Sequence, residues 1–176
     1  MAAPHPLPRV DPLARQSALY RLFVGFVSSR LMCRVSRTRV WSLVVWMIDP
    51  YLMRLTRGRL GTGLLLRTTL LETRGARTGR SRRNAVVYFH DGDAVIVVAS
   101  QAGRPESPSW FYNARANPDV RLAGRPFRAE QVLDETERAR LWELADRVLP
   151  AFARYRETAA EAGRTIPILR LVPATA

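Results

Sequence analysis

Two runs rich in β-branched and aromatic residues, Asn84–His90 and Ala94–Ser100, flank Asp91-Gly92-Asp93. Each is strand-length, and Asp-Gly between apolar runs is a strong local signal for a hairpin. The chain therefore has to organise itself around an antiparallel pair. Leu64–Glu72 reads as a further strand, Val120–Ala123 and Pro126–Leu133 as a second hairpin around Gly124-Arg125, and Ile166–Val172 as a last short strand. Helices are expected between these strands. Ser107 can cap one, with Pro108 at its first position and Asn117-Pro118 at its end. Asp134 with Glu137 resembles a capping box opening a helix over 135–148, and a further helix over Ala151–Ala162 stops at Gly163. Short strands in hairpins, without regular alternation with long helices, favour a small antiparallel barrel over a parallel sheet. The expected class is mainly β with helices (α+β). At 176 residues and 47% hydrophobic content, one domain with a substantial core is expected.

The region before the strands differs. Residues 1–12 are Pro-rich and expected to be a flexible tail. They lack the basic, apolar and small-residue succession of a signal peptide. Residues 13–60 read as an amphipathic helical segment, helical over 13–56, and 61–176 as the barrel domain. Leu19, Leu22, Phe23 and Phe26 recur at helical spacing, as do Trp41, Val44, Val45 and Ile48, until Pro50 interrupts. The longest nearly apolar run, Val40–Ile48, is far short of the ~20 residues a membrane span needs. Two readings fit this segment. It lies on an anionic membrane surface, with Trp41 and Trp46 at the headgroup boundary, or it packs on the domain with its arginines in water.

Charge is unevenly distributed. Residues 1–83 hold 16 arginines against Asp11, Asp49 and Glu72, whereas residues 84–176 balance 12 arginines with 12 carboxylates. The whole net charge of +13 thus lies in the first half and points to an anionic partner. Arg74, Arg77, Arg80, Arg82 and Arg83 crowd beside Gly75 and Gly79, just before the first hairpin. Lysine is absent, which fits either bidentate anion recognition by arginine or a compositional bias toward Arg and Ala. The basic loop lacks interleaved aromatic side chains, so no nucleic-acid partner is expected. Cys33 is the single cysteine, which excludes an internal disulfide and fits a reducing cytoplasm. With only His5 and His90 besides, neither a zinc site nor a Cys/His or Ser/His hydrolase is expected.

Three blocks together carry a family resemblance: TRGARTGRSRRNAVVYF from Thr73, VVASQAGRPESPSWFYNARANPDV from Val97, and GRTIPILRLVP from Gly163. Over about residues 64–172 the chain resembles the deazaflavin-dependent nitroreductase family. The resemblance implies a split β-barrel related to flavin-reductase-like and pyridoxamine-oxidase-like folds. It also implies coenzyme F420, with FMN as the runner-up, and hydride transfer to a small-molecule acceptor such as a quinone, nitro compound or enone. Such a coenzyme brings its own hydride, so no protein nucleophile is required. The matching positions imply that Arg77, Thr78, Gly79 and Arg82 grip the phosphate and tail. They place Asn84 beside the ring-binding strand and Ala99, Ser100, Trp110 and Asn113 along the coenzyme. Tyr155 is the candidate for orienting or protonating an acceptor carbonyl. Departures stand at Ala76, Ala85 and Gln101, and Leu149 and Phe152 replace two tyrosines of the C-terminal helix, implying a more apolar acceptor mouth. The alternatives are a noncatalytic F420 or flavin carrier and a basic adaptor at the inner face of the cell membrane. The oligomeric state is open.

Overall fold

Residues 7–36, 38 and 68–174 are described by the structure, a computed structural model. Six strands close into a barrel: β1 (Thr68–Arg74), β2 (Ser81–Asp91), β3 (Ala94–Val98), β4 (Asp119–Leu122), β5 (Arg125–Gln131) and β6 (Ile168–Pro173). Their order is β1-β2-β3-β6-β5-β4, every pairing is antiparallel, and β4 returns to β1 through the Leu71–Leu122 pair. Closure satisfies the strand edges that an open sheet would expose. The expected barrel with helices is borne out.

Helices α1 (Ala18–Val27) and α2 (Arg30–Ser36) precede the barrel. Helix α3 (Ser109–Ala116) bridges β3 and β4, while α4 (Glu135–Val148) and α5 (Ala151–Glu161) bridge β5 and β6. Within the described part of the expected helical stretch 13–56, two helices form, broken at Ser28-Ser29; the rest of that stretch from residue 39, with Trp41, Trp46 and Pro50, lies outside the described residues, as does Leu64 at the expected start of β1.

Several boundaries move for identifiable reasons. β2 starts at Ser81 rather than Asn84, because Glu72 sits opposite Arg83 and the two form an ion pair of 2.8 Å that extends the ladder. β3 stops at Val98, since Ala99 N–H turns to the Pro167 carbonyl. In the second hairpin the turn is Ala123-Gly124, with φ of 51° and 81°, so β5 begins at Arg125. Pro108 is not the first helical residue of α3: it is the extended N-cap position, and Ser107 Oγ accepts from Arg164 Nε at 3.2 Å instead of capping. The capping box of α4 is half made. Asp134 accepts from Glu137 N–H at 2.8 Å, but the Glu137 carboxylate is paired with Arg170.

The core lies inside the barrel and beneath its helices. Leu71, Phe89, Ile96, Leu122, Ile168 and Leu171 are buried from the strands, and Leu141, Ala145, Phe152 and Ala159 from α4 and α5. Full burial contributes about 1.5–3 kcal/mol for each large apolar side chain. Polar contacts fix the helices over this core. Arg140 grips Asp91 of the first hairpin at 2.9 and 2.6 Å, and Arg156 grips Asp146 at 2.9 and 2.6 Å while lying 4.3 Å from the Trp142 ring centre. Within the stretch 1–12 expected as a flexible tail, residues 7–10 lie against the barrel. Val10 is buried, Leu7 packs on the core, and Tyr88 Oη donates to the Pro8 carbonyl at 2.9 Å.

Candidate functional site

The arginine-rich segment becomes a compact loop, residues 75–80, between β1 and β2. Gly75 N–H donates to the Arg80 carbonyl at 2.9 Å, and Gly79 N–H donates to the Gly75 carbonyl at 2.8 Å. A Cβ at Gly75 would lie 3.0 Å from Thr78 Oγ1 and 3.3 Å from the Arg80 carbonyl oxygen, so a side chain there would crowd this tight closure. Two asparagines of α3's face and end tie the loop down. Asn113 Oδ1 accepts from Ala76 N–H at 3.0 Å, its Nδ2 donates to Thr73 Oγ1 at 3.4 Å, and Asn117 Nδ2 donates to the Arg74 carbonyl at 3.2 Å.

Strand alternation sorts the arginines of β2. Arg82 pairs with Thr73 and Asn84 with Leu71, on the strand face that continues to buried Val86 and Tyr88. Arg83 faces the other way and its guanidinium holds the Glu72 carboxyl below the usual carboxylate range. By contrast, Arg74, Arg77, Arg80 and Arg82 are exposed and have no carboxylate at ion-pair distance among the described residues. Four such cations around one tethered loop create a strongly positive surface suited to a multiply charged anion.

A second loop forms at the far end of α3. Directly after Ala99 and Ser100, three successive residues take positive φ: Gln101 at 47°, Ala102 at 53° and Gly103 at 74°. For the two non-glycine residues this costs about 1–3 kcal/mol each, so surrounding structure has to impose it. Arg164 does so from one side. Its guanidinium donates to the carbonyls of Ala99, Ser100 (3.2 Å) and Arg104 (2.5 Å), as well as to Ser107. Burial lowers the pKa of this guanidinium, opposed by Tyr112 and Glu106. Helix α5 presses from the other side: a Cβ on Gly103 would fall 2.8 Å from the Tyr155 carbonyl oxygen.

The two loops thus stand at opposite ends of an eight-residue helix, about 12 Å long. One end gathers Arg77, Thr78, Gly79, Arg82 and Asn113; the other gathers Ala99, Ser100 and Tyr155. Asn84 is half-buried on β2, beside the first group. Trp110 and Ala99 are closed into the core, and Asn113 is committed to protein partners. Leu149 and Phe152 are likewise core residues, at 4% and 2% exposure, so they do not offer an open apolar mouth. Half-buried Tyr155 packs edge-on to Phe152, with ring centres 6.2 Å apart.

Sequence reasoning passed over Asn117, Thr73 and Arg164. The spacing of Asn113 and Asn117, four residues apart at the end of one helix, was the available signal for the tether. For Arg164 the signal was its place after Gly163, whose φ of 70° ends α5, letting Arg164 N–H bond back to the Ala159 carbonyl at 2.8 Å.

Comparison with known proteins gives a consistent result. The family described as F420H(2)-dependent quinone reductase matches residues 46–173. An F420H(2)-dependent quinone reductase of Mycobacterium tuberculosis is 36% identical over 123 residues, covering 66% of this chain and 81% of the relative. A solved F420-H2 dependent reductase is 29% identical with a TM-score of 0.52, covering 59% of this chain and 92% of that one. Another solved chain, described as a domain-swapped dimer, is 28% identical with a TM-score of 0.54, covering 72% of this chain and 96% of that one.

Proposed function

The chain belongs to the F420H(2)-dependent quinone reductase family, and from that premise we propose how it carries out F420-dependent reduction of a quinone. The observation that carries the reading is the set of four arginines on and beside a loop fastened to α3, none with a carboxylate at ion-pair distance among the described residues, with a rigid, less charged loop at the helix's other end. That donor set fits a molecule with an anionic tail and a neutral ring. Arg77 and Arg82, with Thr78 and the backbone of Gly79, hold phosphate and tail; Arg74 and Arg80 add to the field. Each charge-assisted hydrogen bond contributes roughly 1.5–3 kcal/mol, so two or three dominate tail affinity.

Asn84 and Ser100 border the ring. Ala99 and Trp110, closed over by protein, shape the wall behind it, and Asn113 keeps the anion loop in place. The reduced coenzyme supplies the hydride itself, which is why no nucleophile or metal cluster is needed. Tyr155 orients the quinone carbonyl and is the proton donor to its oxygen. Fluorescence titration with F420, run beside FMN, tests the reading. Quenching by F420 and quinone-dependent oxidation of the reduced form are expected. No quenching at micromolar coenzyme overturns the assignment, and tight binding without turnover makes the protein a carrier.

A second element concerns the acceptor's location. Leu19, Leu22 and Phe26 recur on α1 at 73%, 73% and 63% exposure, with Leu31 of α2 at 70%. Exposed Arg15, Arg21, Arg30 and Arg34 surround them. This combination of apolar anchors and cations fits peripheral binding to an anionic bilayer, where lipid-soluble quinones reside. Among the described residues no helix is long and apolar enough to cross a membrane.

A further inference from the structure

Arg164 does more than brace a loop. In a trans peptide the C=O and N–H of one unit point in opposite directions. The carbonyls of Ala99 and Ser100 both turn toward the Arg164 guanidinium. The N–H groups of the same two peptide units, those of Ser100 and Gln101, are thereby aimed away from it. Neither of these N–H groups donates to a backbone acceptor among the described residues. The third carbonyl held, that of Arg104, precedes Pro105 and so has no N–H to aim. The chain direction is fixed on both flanks: Ala99 N–H is bonded to Pro167, and Gly103 is pressed against α5 at Tyr155.

We infer that Arg164 is a positioning residue for the reaction: by gathering the Ala99 and Ser100 carbonyls it presents the Ser100 and Gln101 N–H groups as a paired donor for an oxygen of the coenzyme's ring. The inference rests on the coenzyme reading above. It also accounts for the positive φ of Gln101 and Ala102, because a relaxed turn would rotate these peptide units and disperse the two donors. A lysine at 164 keeps the charge but cannot span three carbonyls and a hydroxyl from a planar fork.

The test compares wild type, R164K and R164A by F420 titration, steady-state kinetics and thermal melting. R164K, folded, is expected to bind F420 about tenfold more weakly, the equivalent of one lost hydrogen bond to a charged or polar oxygen. Its KM for the coenzyme rises while its KM for the quinone stays unchanged. Guanidinium ion at millimolar concentration restores part of the coenzyme affinity of R164A. Wild-type coenzyme affinity in a folded R164K overturns the inference, and so does an equal rise in both KM values. Failure of the wild type itself to bind F420 removes the coenzyme reading and this inference together. Binding by wild type with R164K unchanged removes this inference alone.

Discussion

Val10 and His90 are joined by two hydrogen bonds: Val10 N–H donates to His90 Nδ1 at 3.0 Å, and His90 N–H donates to the Val10 carbonyl at 2.8 Å. The N-terminal strap is thereby stitched onto β2, and the stitch depends on protonation, because a ring nitrogen that accepts from an N–H must carry a free lone pair. Burial holds the His90 imidazole below its ordinary range, and the Arg9 guanidinium acts in the same direction. The folded state therefore binds this proton less readily than the unfolded chain, whose histidine titrates near ~6.5. Stability from this group is complete above that value and is lost as pH falls through it toward the lowered folded pKa. Melting temperature should fall as pH drops below about 7 in the wild type. In H90N, where an amide oxygen can accept from Val10 without titrating, this part of the slope should vanish. H90A should lose about 1–3 kcal/mol, because Val10 N–H is left without its partner. Melting curves of the three proteins across this pH range check the set.

The arginines of the anion loop should separate by their partners rather than by their nearness in sequence. R77A and R82A each remove a cation with no carboxylate at ion-pair distance among the described residues, and should weaken F420 binding roughly 10–100-fold, with strong salt dependence. R83A removes a side chain already bonded to Glu72 and should change affinity by less than about threefold. Titrations of all three at low and high salt check this, and equal losses from Arg82 and Arg83 would show that strand orientation does not govern the site.

The contrast between Arg82 and Arg83 marks how far the sequence could be read. Hairpins, helices and barrel class were legible because turn residues and apolar periodicity act locally, as at Gly92 and Asp134. Boundaries were less legible where a contact between distant residues decided them. The Glu72–Arg83 ion pair lengthened β2, and Arg164 drew Ser107 away from capping α3. The candidate site residues came from a family pattern, whereas the groups that tether their loops did not. Asn117 and Arg164 act through backbone carbonyls, and carbonyls leave no mark in side-chain sequence. Val10 was hidden in a proline-rich stretch that composition assigned to a mobile tail.

The asparagine tether gives a test of loop preorganisation. Asn113 and Asn117 bond the Arg loop and β1 without contributing charge. N113A should cost about 1 kcal/mol or more of stability, since the Ala76 N–H loses its acceptor. It should weaken coenzyme binding severalfold while leaving the salt dependence close to that of the wild type, because the cations remain. Adding N117A should deepen the loss by more than the two single effects combined if both hold one loop. A double-mutant cycle read by coenzyme titration checks it; strict additivity would mean that each asparagine acts on a separate part of the site.

The outward face of α1 can be separated from its inward face. Val24 is buried and Tyr20 and Phe23 pack on the core, whereas Leu19, Leu22 and Phe26 point to solvent. Replacing the outer three with serine removes apolar anchors without opening the core, so the melting temperature should change little. If the face docks on an anionic bilayer, the triple variant should lose most of its co-sedimentation with phosphatidylglycerol vesicles, since each lost large side chain costs membrane affinity in proportion to its apolar area. Turnover with a water-soluble quinone should stay at the wild-type level, and turnover with a lipid-embedded quinone should drop. Equal vesicle binding by the variant and the wild type would reduce the membrane contact to charge alone, and loss of activity with both quinones would place α1 in the reaction site instead.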